Sequence, residues 1–143
     1  MNPLKNQTGG SLIEFVIIAP LLLVILFGII EFGILIYDKA MITSASREGA
    51  RAGIVFRHPT RVTNAEIETV IRNYCEAHLI SFGAGTGLTI PPPSRTGNAA
   101  GDTLTVTVNY QFRFLVFSNV LALVGGNMGS LINLSAITVM RLE

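Results

Sequence analysis

The sequence predicts an α+β protein. A long N-terminal transmembrane helix continues into a small head with a second helix and an antiparallel sheet of about three strands. Three observations predict it. Residues 15–37 are an almost unbroken apolar run, with one charge in 23 positions. Residues 102–114 alternate apolar and polar side chains with the period of a half-buried strand. Between them, Ile67, Val70, Ile71, Tyr74, Cys75 and Leu79 fall on one stripe of a helix.

The apolar run comes first. At 1.5 Å per residue, a helix over 15–37 covers about 34 Å, against a hydrocarbon core of about 30 Å, so it can cross a bilayer once. Pro20 removes one helical hydrogen bond and marks a kink or an interfacial end. Gly28 and Gly33 are small positions where another helix could approach. Glu14 stands at the head of the run and Glu31 inside it. Ionised carboxylates are costly in hydrocarbon, so each asks for a partner or for a processed N-terminus that supplies positive charge.

Residues 1–9 carry one charge, Lys5. An ordinary secretory signal places its small-residue cleavage site after its apolar core. Here Gly9-Gly10 precede that core, so a cut there leaves the helix on the mature chain. Lys5 favours a cytoplasmic N-terminus, by a narrow margin over Lys39 beyond the span.

The helical pattern continues to about Val55, with Ala40, Met41, Ser44, Ala45, Glu48 and Ala52 recurring at three and four. Small residues dominate that face, which allows close packing. Arg47, Glu48 and Arg51 read as a solvated or sheet-capping face, with a subunit contact as their functional use; a pair spaced like Glu48 and Arg51 is worth only about 0.2–0.5 kcal/mol. His58-Pro59 ends the helix, because proline disfavours helical geometry in the residue before it. Thr63 or Asn64 then caps a second, amphipathic helix over 64–81, or a helix–strand hybrid at its end, with Glu66 and Glu68 in its first turn.

Residues 83–101 are rich in glycine, proline and threonine and read as turns, with a short strand around 88–90. No Lys-Ser/Thr follows Gly87, so the glycines are not a phosphate-binding loop. In the strand over 102–114, Leu104, Val106, Val108, Tyr110, Phe112 and Phe114 share a face. The apolar stretch 115–128 reads as a short helix or loop on the membrane or a neighbour, balanced against a crossover packed on its own sheet. Residues 131–142 alternate again and should pair antiparallel with 102–114.

With 143 residues, half of them hydrophobic and 13% charged, the net charge is only +1, so nothing advertises nucleic acid. Cys75, the single cysteine, cannot form an internal disulfide and reads as a buried thiol. His58 and His78 lack metal-ligand spacing. No motif supports a catalytic residue, a metal, a cofactor or a small-molecule substrate.

Gly9 followed by Gly10-Ser11-Leu12-Ile13-Glu14 resembles the type IV prepilin processing site. The resemblance implies a cut between Gly9 and Gly10 by a prepilin peptidase, which makes Glu14 the fifth mature residue. It also implies that Glu14 neutralises the new amine of a neighbouring subunit. Ala45-Ser46-Arg47-Glu48-Gly49-Ala50-Arg51-Ala52-Gly53 and the closing Met140-Arg141-Leu142-Glu143 narrow the resemblance to the TadE family, minor pseudopilins of the tight-adherence (Flp-type) pilus system. Gly10 departs from the aromatic usual after the cut in true pilins.

This reading divides the chain into a leader (1–9), a membrane-spanning and extended helix (10–57) and an α+β head (58–143). It implies a single-pass protein of the bacterial inner membrane, with a cytoplasmic N-terminus, an extracytoplasmic head and a place in an extracellular pilus. The partners are the membrane, prepilin peptidase and other pilin or pseudopilin subunits, in homo- or hetero-oligomers. Pro20, Glu31, Arg47, Glu48 and Arg51 are candidate intersubunit or intramembrane contacts. The alternative is an uncleaved, membrane-anchored scaffold or binding protein.

Overall fold

The structure is a computed structural model that describes residues 8–57, 60–81, 87–123 and 131–143. The expected break at His58-Pro59, the glycines at 83 and 85, and the end of the 115–128 stretch lie outside the described residues. Helix α1 runs Thr8–Ile54, followed by β1 (Phe56–Arg57), β2 (Thr60–Arg61) and α2 (Asn64–His78). Then come β3 (Leu88–Thr89), β4 (Ser94–Arg95), β5 (Thr103–Arg113), α3 (Phe117–Leu123) and β6 (Leu131–Arg141). The architecture is the α+β one expected, with one long apolar helix, a second helix and an antiparallel sheet.

The chain folds as two compact units that interleave in sequence: residues 1–33 with 114–130, and residues 34–113 with 131–143. In the second unit β5 is the middle of a four-stranded sheet. It pairs with β6 along its whole length, from Thr103↔Arg141 to Arg113↔Leu131. Its other edge takes β3, through Leu88↔Tyr110, and β4, through Ser94↔Thr105, both antiparallel. β4 is the strand beyond the three expected. It follows Pro91–Pro93 and is two residues long, too short to carry a periodic signal. β1 and β2 form a separate two-stranded ribbon.

The β5 alternation sorts its side chains as expected: Leu104, Val106, Val108, Tyr110 and Phe112 are buried. On α2 the buried residues are Ile67, Ile71 and Cys75, the inner line of the expected stripe. Each such apolar side chain contributes about 1.5–3 kcal/mol when buried. Thr63 is the N-cap of α2. Its hydroxyl accepts from the Glu66 N–H, and the Glu66 carboxylate accepts from the Thr63 N–H at 2.7 Å, a reciprocal capping box.

Against this core α1 presents Ile42, Ala45, Ser46, Ala50 and two glycines. A Cβ on Gly49 would lie 2.7 Å from Ile71 Cδ1, and one on Gly53 would lie 2.6 Å from Ile67 Cδ1, so both positions need glycine for close approach. The buried face is therefore displaced from the one the periodicity picks: Ala40 and Glu48 are exposed, and Gly49 and Gly53 are buried. Hydropathy patterning undervalues glycine, which packs by absence. The Ser46 hydroxyl and the Thr138 hydroxyl share a hydrogen bond at 2.7 Å, and the Lys39 ammonium donates to the Ser135 carbonyl, which ties α1 to β6 within this unit.

Candidate membrane and assembly segment

The segment that carries the expected processing and assembly residues is the first half of α1. Gly9 and Gly10 lie in its first turns, exposed, with open space where side chains would stand. Glu14 is exposed, and no hydrogen bond or ion pair among the described residues reaches it. Around it the helix shows Ile13, Phe15, Val16, Ile17 and Ile18 to the outside, each more than half exposed. Pro20 sits within the helix and faces outward. Such a surface is unstable in water and matches hydrocarbon. α1 is long and apolar enough to cross a membrane once.

Glu31 is placed differently: its side chain is only 4% exposed. One carboxylate oxygen, Oε1, accepts the backbone N–H groups of Leu115, at 3.0 Å, and Val116, at 2.6 Å. The other, Oε2, accepts from the Phe117 N–H at 3.1 Å. These are the orphan donors that open α3, and a carboxylate is a strong acceptor for them. Phe32 packs against Phe114 and Phe117 with ring centroids 5.7 Å apart in both pairs, and Phe117 lies 3.9 Å from where a Gly28 Cβ would be. The acid inside the apolar run thus finds its donors inside its own chain, and Gly28 receives an aromatic ring from this small unit.

Arg47, Glu48 and Arg51 lie on the exposed side of α1, and none joins a hydrogen bond or ion pair among the described residues. The i,i+3 pair between Glu48 and Arg51 is not formed.

Asp38 is a polar residue that sequence reasoning passed over. It is fully buried; its Oδ1 accepts from the Ile80 N–H at 3.0 Å, and its Oδ2 has no hydrogen-bond partner. Burial, and then the Asp38 charge, push the Tyr110 phenol above its ordinary range. Next to Lys39 at the end of the apolar run, Asp38 reads as one of two terminal charges. Only the fold turns it inward.

Cys75 is buried at the α2 interface, and burial pushes its thiol up to about 11; the Arg72 charge opposes this and Glu76 adds to it. A thiol so held is a packing group, since the thiolate is the nucleophile. No group of three or more His, Cys, Asp or Glu side chains among the described residues could hold a metal ion.

No curated protein and no solved structure matches the chain. A family model does, over the segment just described. Residues 9–51, from the glycine pair through Glu14 and Glu31 to the Arg-Glu-Gly-Ala-Arg stretch, match the TadE family, described as TadE-like protein. The similarity runs from Gly9 to Arg51.

Proposed function

We propose that this protein is a minor pilin or pseudopilin, a structural subunit that helps assemble a type IV-like tight-adherence pilus. Residues 1–9 are its leader, removed by a prepilin peptidase between Gly9 and Gly10. The mature chain sits in the bacterial inner membrane with its N-terminus at the cytoplasmic side and its head outside, and it enters assembly through the apolar part of α1. The observation that carries this reading is Glu14: an acid on an apolar, outward-facing helix, inside a TadE-like segment, with no hydrogen-bond or ion-pair partner among the described residues. A freed amine on Gly10 of a neighbouring subunit supplies the missing charge, because a carboxylate and an ammonium attract strongly where water is scarce. Pro20, Arg47, Glu48 and Arg51 face outward and are available to the same neighbours. The role is structural rather than catalytic, consistent with a packed, protonated Cys75.

The test is mass spectrometry of the mature N-terminus after expression with a prepilin peptidase. A chain beginning at Gly10 supports the proposal. An intact leader in assembled material overturns it and identifies a permanently anchored scaffold. Glu14→Ala should abolish incorporation while leaving membrane insertion nearly unchanged.

A further inference from the structure

α3 and the turn before it have no obvious use in a water-soluble head. Residues 114–130 contain no charged side chain. Leu115 is 41% exposed, and Asn119 and Ala122 are also exposed. The element is nevertheless secured to α1 by three hydrogen bonds to one carboxylate, and that carboxylate belongs to the apolar run. Glu31 lies six positions before Tyr37, so in a helix crossing over 15–37 it sits about 9 Å inside the span's C-terminal end. Interfacial helices bury their apolar faces about 5–10 Å into the boundary between headgroups and acyl chains. The tether therefore holds the start of α3 at the depth such a helix occupies.

We propose that residues 114–123 form a second membrane-contacting element, an uncharged interfacial helix held by Glu31, whose partner is the acyl region of the leaflet at the C-terminal end of the span. The inference rests on the reading of α1 as membrane-spanning. Backbone polarity supports lipid over water as the neighbour. Backbone polar groups at membrane depth must be satisfied within the protein. Here the N–H groups of Leu115, Val116 and Phe117 go to Glu31, the Leu115 carbonyl accepts from Asn119 Nδ2 at 2.8 Å, and the Val116 carbonyl accepts from the Val120 N–H at 3.0 Å. The same unit exposes further apolar side chains on α1: Leu26, Phe27, Ile29 and Ile30, within five positions of Glu31 in the sequence. A docking face for a protein partner would gain from charge that sets register; this one has none.

Depth-dependent quenching tests it. The full chain carries one added cysteine at Leu115→Cys, Ala122→Cys, Ile29→Cys or Thr69→Cys, each labelled with bimane and reconstituted in phosphatidylcholine vesicles containing nitroxide-acyl lipid. Buried Cys75 stays unlabelled. Labels at 29, 115 and 122 should lose most of their emission, while the label at 69, on the exposed side of α2, keeps its emission. Quenching at 29 without quenching at 115 and 122 overturns the proposal alone. If 115 and 122 are then quenched by aqueous iodide, α3 faces water; if neither quencher reaches them, another protein covers it. No quenching at 29 overturns the membrane reading, and the inference with it.

Discussion

Two acids on one helix illustrate how much a residue depends on what faces it. Glu14 and Glu31 are chemically identical and 17 positions apart on α1. Glu31 is enclosed by the turn at 115–117, and its two carboxyl oxygens accept from three backbone N–H groups. Glu14 has no hydrogen bond or ion pair among the described residues, which is why its partner is sought in a second subunit. Cys75 makes the opposite point, since burial removes reactivity rather than creating it. With its thiol raised from 9.0 to about 11, Cys75 should resist iodoacetamide at pH 8 in the folded protein and react readily in urea; rapid alkylation of the folded chain would show an accessible thiolate. The same shift has a sign for stability. The neutral thiol favours the folded state fully below pH 9.0, and that contribution is lost as pH rises toward about 11.

At the scale of elements, the contact between α1 and α2 depends on two glycines. Gly53→Val places methyl groups where Ile67 and Leu104 already stand. Overpacking of this kind costs about 1–3 kcal/mol. The urea midpoint of the detergent-solubilised protein, followed by circular dichroism, should fall accordingly. Thr69→Val, on the exposed side of α2, should stay within about 0.5 kcal/mol of the parent protein. Equal midpoints for the two variants would mean that α1 and α2 do not pack closely in solution.

At the scale of the whole molecule, α1 is the one helix among the described residues long and apolar enough to cross a membrane, and it exposes many apolar side chains. Leu22 and Leu26 both face outward, one turn apart. Replacing both with arginine adds roughly 5–7 kcal/mol to insertion near the bilayer centre. The double variant Leu22→Arg/Leu26→Arg should then be released from membranes by alkaline carbonate, whereas the parent chain stays. Retention of the double variant would mean that some other part of the chain supplies the anchorage.

The sequence by itself determined the elements whose signal is local and periodic. The apolar run, an N-cap at Thr63 or Asn64, the α2 stripe and the period-two alternation of β5 and β6 all depend on neighbours a few positions away. The antiparallel pairing of the two long strands was legible for the same reason. Tertiary structure alone decided what depends on distant partners or on missing atoms. The donors to Glu31 are 84–86 positions away. Asp38 is turned inward by a residue 42 positions along the chain. Gly49 and Gly53 shift the packed face of α1 because a residue without a side chain contributes little to a hydrophobic pattern, yet it permits the closest approach between helices.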